Sequence, residues 1–111
     1  MEVNKIELIK LQNAIDLIKK NKTKDAENIL KELIDINIVK PDALTYLAIC
    51  KIKSDKKNEA IDFLKNAISI DPDHEFANLN LGLIYFDIKS YKESFNFIIN
   101  AYKKNNNNLI A

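Results

Sequence analysis

The side chains that most often do chemistry in proteins are scarce in this chain. Its 111 residues include one histidine, His74, and one cysteine, Cys50. A metal site needs several converging ligands, and no second histidine or cysteine can join either residue. We expect His74 to be a solvated linker histidine beside Asp73 and Glu75, and Cys50 to be a buried, unreactive thiol. We predict no catalytic residue, no metal and no cofactor.

Phosphate-binding patterns are missing as well. Gly82 is the only glycine, so the chain cannot form a glycine-rich phosphate loop. The 17 basic residues, all of them Lys, nearly balance the 16 acidic ones, and the net charge is +1. Arg, which makes the bidentate contacts to phosphates and guanines, is absent. We therefore expect no nucleic acid and no membrane as partner, and no enzymatic activity.

The number of cysteines and the hydropathy of the sequence favour a location inside the cell. A lone cysteine cannot form an intramolecular disulfide. The first residues lack the apolar run of a signal peptide, and no stretch reaches the roughly 20 apolar residues of a membrane helix. We expect a cytoplasmic protein.

The sequence repeats itself with a period of about 34 residues, which is typical of stacked helical repeats. Shifting the chain by that period aligns small residues with small residues and large apolar residues with one another. The small columns are Ala14, Ala48 and Gly82, and Ala26, Ala60 and Ser94; the apolar columns include Ile29, Phe63 and Phe97, and Leu30, Leu64 and Ile98. The pattern predicts one domain over 1–108 with repeats at 7–40, 41–74 and 75–108, and a tail at 109–111.

Each repeat is predicted to form two helices joined by a short turn. In the second repeat, Pro41 favours a first helical turn and Pro72 ends the second helix. Asp55 is predicted to cap that second helix, and Asn4 and Glu7 have capping-box spacing for the first helix of the chain. The predicted helices of the second and third repeats are 41–53, 57–70, 75–88 and 91–104, and the turns are 21–23, 54–56 and 89–90.

Several of these residues form a recognisable motif. The third repeat has Leu81-Gly82, Tyr85, Ser94, Ile98 and Ala101; the second has Leu44, Leu47-Ala48, Ala60, Leu64, Ala67 and Asp71-Pro72; the first keeps Ala14, Leu17, Ala26 and Leu30. This pattern resembles that of the tetratricopeptide repeat (TPR) family. The resemblance implies an all-α, right-handed superhelical array of three helix-turn-helix hairpins, an α-solenoid that serves as a protein-binding scaffold.

The resemblance also places the first helix of each hairpin on a concave surface. The residues there are mostly apolar, which suits an apolar or amphipathic peptide or helix as partner. The alternative is that a tightly wound array buries them as core. The predicted partner-binding groove consists of Leu8, Leu11, Ile15, Ile49, Phe76, Leu79, Asn80, Leu83 and Phe86.

One activity known in the family is disfavoured. Co-chaperone members grip a C-terminal carboxylate with Lys, Asn and Arg side chains in the groove. The corresponding residues here are Leu11, Ile15, Tyr46, Phe76 and Asn80. Because none of them is a cation, we do not expect carboxylate capture of the Hsp70 or Hsp90 type.

The last helix leaves three interpretations open. It carries more apolar residues than its packing on the preceding helix can hide, and exposed apolar patches mark interfaces or truncation. The chain either self-associates as a homodimer, is a fragment of a larger regulatory protein, or has a harmless exposed end. The predicted self-association residues are Phe95, Ile99 and Tyr102.

Overall fold

The described part of the chain folds into six helices. The computed structural model describes residues 2–36 and 38–103, with side chains from Lys5 onward, and these residues contain no strand. The helices are α1 (Glu2–Lys19), α2 (Thr23–Leu33), α3 (Lys40–Lys53), α4 (Lys57–Ile70), α5 (Glu75–Asp87) and α6 (Tyr91–Lys103). The predicted all-α array of three hairpins is confirmed.

Consecutive helices pack against each other all along the chain. α1 packs on α2, α3 on α4 and α5 on α6, and the hairpins join where α2 meets α3 and α4 meets α5. α2 and α4 therefore lie between the first helix of their own hairpin and the first helix of the next, whereas α6 packs on α5. This stacking builds two adjoining core clusters, with Ile34 and Phe63 packed against both, from hairpins that bury too little on their own.

The small-residue columns lie where paired helices approach most closely. Ala14, Ala48, Ala26 and Ala60 are completely buried, and Ser94 is nearly so. Because their side chains end at or near Cβ, the ridges of one helix can enter the grooves of its partner. The large residues Leu30, Leu47, Leu64 and Leu81 fill the space between hairpins.

The turns inside the three hairpins have the same backbone geometry at equivalent positions of the repeat. Asn21, Asp55 and Lys89 have φ angles of 63°, 61° and 67°. The amide of the following residue donates to the carbonyl five positions back, at 2.8 Å in each hairpin: Lys22 to Leu17, Lys56 to Lys51 and Ser90 to Tyr85. This is the Schellman arrangement, which usually has glycine at the left-handed position.

Two predicted caps are wrong. Asp55 occupies the left-handed turn position, and Lys56, which makes no side-chain capping bond, precedes α4. α1 begins at Glu2, before Asn4, so the capping box was placed inside the helix. The predicted end of the last helix at 104 and the tail 109–111 lie outside the described residues. The predicted limits of the domain and of its repeats are untested and remain predictions.

Replacing Asp55 with glycine should stabilise the fold. A side chain at a left-handed φ costs roughly 1–2 kcal/mol, and glycine avoids that cost but has a more flexible unfolded chain. We expect Asp55→Gly to raise the free energy of unfolding by about 0.5 kcal/mol in urea titrations followed by circular dichroism. The matched control is Ser54→Gly, because Ser54 has a φ of −94° and gains nothing. Equal effects of the two substitutions would contradict this account of the turn.

Candidate functional site

The predicted groove residues lie on the first helices of the three hairpins, α1, α3 and α5. Leu8, Leu83 and Phe86 are exposed, and Leu83 keeps 49% of its surface accessible. Five others are half-buried and present one side to solvent: Ile15, Ile49, Phe76, Leu79 and Asn80. Most of the set therefore lies on the three first helices with apolar side chains that are partly exposed, and that these residues form one groove remains a prediction.

Leu11 is placed differently. It is only 7% exposed and belongs to the core formed by the first hairpin and α3, together with Ala14 and Leu30. The neighbouring Ile18 and the equivalent Thr45 are buried too. At Leu11 and Thr45 the alternative interpretation, core rather than groove, describes the structure better, whereas Leu79, the third residue of this column, is half-buried. Leu11 is therefore not part of the candidate site.

Tyr46 belongs to the candidate site although it was not among the predicted groove residues. Its ring lies 5.2 Å from that of Phe76, centroid to centroid, in a tilted arrangement that joins α3 to α5. Burial first, and the charge of Asp42 second, raise the pKa of the Tyr46 hydroxyl. The signal was present in the sequence, because Tyr46 is the second-repeat equivalent of Asn80, which was predicted. We call Tyr46, Ile49, Phe76, Leu79 and Leu83 the apolar wall.

Polar groups beside the apolar wall are bonded within the protein. Asn80 donates through Nδ2 to the Phe76 carbonyl at 2.8 Å, and Thr45 donates through Oγ1 to the Pro41 carbonyl at 2.8 Å. These bonds hold the side chains against their own helix. None of the predicted groove residues is a cation. A ligand carboxylate would find no charged partner among them, whereas an apolar side chain would find a matching surface.

His74 does more than the predicted solvated linker residue. Its Nδ1 accepts a hydrogen bond from the Ala77 amide at 3.0 Å and so caps α5. Its Nε2 lies 2.6 Å from Oδ1 of Asp42 on α3. Because Nδ1 accepts, the proton of a neutral ring is on Nε2 and is donated to Asp42. The solvated interpretation is wrong: His74 ties the second hairpin to the third.

Cys50 is completely buried, as predicted, in the core next to the first hairpin. Burial, and to a lesser extent the charge of Glu27, raise the pKa of its thiol to about 11. A thiol held protonated is a poor nucleophile and a poor metal ligand. Within the described ranges, no three His, Cys, Asp or Glu side chains converge so that they could hold a metal ion.

A largely buried ion pair joins the first two hairpins. The Lys51 ammonium lies 3.2 Å from a carboxylate oxygen of Glu27 and 3.7 Å from one of Glu59, and the Lys51 and Glu27 side chains are only 15% and 14% exposed. The hydrogen bond from Lys51 to Glu27 is the main reason why the pKa of Lys51 is raised. Leu17 and Tyr85 occupy the equivalent positions, so this pair is particular to the second hairpin.

The end of the array formed by α6 is a second candidate surface. The three predicted self-association residues, Phe95, Ile99 and Tyr102, are all exposed, Phe95 at 65%. A hollow of about 340 Å³ lies beside them. Its lining residues are Phe86, Tyr91, Ser94, Phe95 and Ile98, with the rings of Phe86 and Tyr91 packed edge to face at 5.4 Å.

Stacked helical hairpins with equivalent turns in every repeat define a helical-repeat protein. The model of the tetratricopeptide repeat matches residues 17–79, more than half of the chain. The chain belongs to the tetratricopeptide repeat family. A comparison with curated proteins finds no match.

Solved structures share this fold. The crystal structure of MamA has a TM-score of 0.73 and 21% identity, over 88% of this chain and 57% of that chain. The Sgt2 TPR domain from Aspergillus fumigatus has a TM-score of 0.76 and 18% identity, over 87% and 64% of the two chains. The second TPR of Spaghetti (RPAP3), bound to the HSP90 peptide SRMEEVD, has a TM-score of 0.73 and 15% identity, over 91% and 96%. This chain thus spans less than two thirds of the MamA and Sgt2 chains. None of its described helices is long and apolar enough to cross a membrane.

Proposed function

We propose that this protein is an interaction module, not an enzyme, and that it binds an apolar or amphipathic segment of a partner protein along the apolar wall. The observation that carries this proposal is the combination of partly exposed apolar side chains with polar neighbours already bonded internally. Such a surface favours a ligand that buries apolar side chains against it and itself has no charged group to bind a charged ligand.

The size of the surface is compatible with a modest affinity. Complete burial of a large apolar side chain stabilises by about 1.5–3 kcal/mol. The half-buried wall residues each supply part of that, and association has its own entropic cost. We therefore expect a dissociation constant in the micromolar range, which corresponds to a binding free energy of roughly −8 kcal/mol. The peptide in the Spaghetti (RPAP3) structure supports a peptide as the kind of partner, but the wall here favours a less acidic one.

The test is fluorescence anisotropy with a labelled amphipathic peptide that has leucine at positions i, i+3, i+4 and i+7. We expect micromolar binding to the unmodified protein and at least about 10-fold weaker binding to Leu83→Glu, because a carboxylate would be buried against the ligand. Leu83 is half exposed in the free protein, so the circular dichroism of the variant should be unchanged.

The controls separate the wall from the rest of the surface. Asn58→Glu makes the same change at an exposed residue of α4 and should bind normally. The peptide SRMEEVD should not bind, since its acidic side chains and carboxylate meet no cation on the wall. Normal binding by Leu83→Glu, or tight binding of SRMEEVD, would overturn the proposal.

A second candidate function is self-association through α6, favoured by the exposure of Phe95, Ile99 and Tyr102. Membership in a larger regulatory protein is compatible with either function. A cytoplasmic location and the lack of nucleic-acid and membrane partners remain predictions from the sequence.

A further inference from the structure

Two contacts join the N-terminal halves of α3 and α5 at one end of the apolar wall. Nε2 of His74 lies 2.6 Å from Oδ1 of Asp42. The ring centroids of Tyr46 and Phe76 lie 5.2 Å apart. Asp42 and Tyr46 are four residues apart and therefore share one face of α3. We call Asp42, Tyr46, His74 and Phe76 the acidic corner, which adjoins the rest of the apolar wall through its two rings.

The Asp42 carboxylate carries a charge that its neighbours do not neutralise. Nδ1 of His74 accepts the Ala77 amide, so the ring is neutral and gives Asp42 a hydrogen bond without a positive charge. Among the described residues no lysine, not even Lys40 on the same helix, forms an ion pair with Asp42. The Asp42 side chain is 46% exposed, so a ligand can reach the carboxylate.

The two rings beside Asp42 favour a cation as well. Tyr46 and Phe76 are both half-buried and keep part of their surface accessible. A cation that lies over an aromatic ring is attracted by the negative face of its π-system. A basic side chain in the acidic corner would therefore meet a carboxylate and two aromatic rings, whereas Ile49 and Leu83 offer it only apolar atoms.

The acidic corner occurs once in the array. One repeat earlier and one repeat later, the residues at the position of Asp42 are Leu8 and Phe76. Asp42 also lies in the first turn of α3, where a negative charge is favourable, and it holds His74. Neither role explains aromatic rings beside an exposed carboxylate. A single charge at one end of an apolar surface gives a bound segment a preferred direction.

We propose that the partner segment bound along the apolar wall carries a lysine or arginine side chain that docks in the acidic corner. Its charge lies on the Asp42 carboxylate, and its aliphatic stem lies against Tyr46 and Phe76. The inference rests on the proposed function and adds a charge requirement to it. Ile49 and Leu83 come seven residues after Asp42 and Phe76, so the basic residue lies about 10 Å from the ligand groups that contact them.

Fluorescence anisotropy with three labelled helical peptides tests the acidic corner. All three have leucine at positions i, i+3, i+4 and i+7. The first has lysine four residues before these leucines and glutamine four residues after them, the second has the two exchanged, and the third has glutamine at both places. We expect one lysine peptide to bind about 5- to 10-fold more tightly than the glutamine peptide. The protein's net charge of +1 gives no general attraction for a basic peptide.

Asp42→Asn separates the charge from the fold. Oδ1 of asparagine can still accept the His74 hydrogen bond, so the circular dichroism and the binding of the glutamine peptide should be unchanged, while the advantage of lysine disappears. Asp62→Asn, the same substitution at an exposed residue of α4, should keep that advantage. If Asp42→Asn loses its helical circular dichroism, Phe76→Leu is the second variant, and it should lower the advantage to about 2- to 3-fold because one ring is lost.

The outcomes separate this inference from the proposed function. Equal binding of all three peptides, or an advantage of lysine that survives in Asp42→Asn, would overturn the acidic corner and leave the interaction module standing. No binding of any of the peptides would overturn both. An advantage lost in Asp42→Asn and kept in Asp62→Asn supports the acidic corner, and the lysine peptide that shows it gives the direction of the bound helix.

Discussion

Replacing Gly82 with valine is expected to lower the free energy of unfolding by about 3 kcal/mol or more. Gly82 lies where α5 and α6 cross. A Cβ there would stand 2.6 Å from Cγ1 of Ile98 and 3.2 Å from both the Ile98 amide nitrogen and the Ser94 carbonyl oxygen. The shortest contact is with the Ile98 side chain, and the other two are with the backbone of α6, which must give way by a few tenths of an ångström. Valine adds two more carbon atoms, and the helices must separate.

The separation would also break a buried hydrogen bond. The Ser94 hydroxyl donates to the Gly82 carbonyl at 2.7 Å, and leaving a buried polar group unpaired costs about 1–3 kcal/mol. Urea unfolding of Gly82→Val, followed by circular dichroism, measures the total effect. Gly82→Ala should be milder, because alanine recovers about 1 kcal/mol of helix propensity.

A double-mutant cycle identifies the cause. Ile98→Ala removes the Cγ1 atom that the new Cβ would meet, so the combined variant Gly82→Ala/Ile98→Ala should be more stable than the sum of the single effects predicts. Purely additive effects would show that Gly82 is not required for the close approach of α5 and α6.

The fold should lose stability steeply at alkaline pH, chiefly because of Cys50. The folded protein raises the pKa of this thiol from 9.0 to about 11, so the unfolded chain releases its proton first. This contribution is complete below pH 9 and is lost as the pH rises toward 11. The stability lost in this way amounts to about 2 kcal/mol by pH 11. The raised pKa values of Tyr46 and Lys51 act in the same direction.

Urea unfolding at pH 8, 9, 10 and 11 measures this loss. Cys50→Ala is the matched variant, because a free cysteine behaves as a small apolar residue in a core. Its stability at pH 8 should be close to that of the unmodified protein, and its decline toward pH 11 should be about 2 kcal/mol smaller. An equal decline in both proteins would contradict the assignment to Cys50.

The positions of the helices and of the turns between them were predictable because their signals are local. Pro41 and Pro72 mark helix ends by backbone chemistry alone, and α4 begins and ends where predicted, at Lys57 and Ile70. The repeat period then transfers those limits to the third repeat. The faces of α1, α3 and α5 follow from three- and four-residue spacing, which explains why most of the predicted wall residues are partly exposed.

The remaining features depend on distances between hairpins. The His74 ring is held by Asp42, 32 residues away in the preceding hairpin, and Lys51 is paired with Glu27 across the junction of α2 and α3. Leu11 is buried because α1 settles against α2 and α3 at that point. No window of sequence contains these partners together. The left-handed turns escaped prediction for another reason: Asn21, Asp55 and Lys89 are not glycines.

The packing of neighbouring helices matters while the chain is being made. Each second helix packs on the helix just before it in the sequence: α2 on α1, α4 on α3 and α6 on α5. A hairpin can therefore close as soon as its second helix has emerged from the ribosome, and its apolar residues find their first partners before the next hairpin is synthesised.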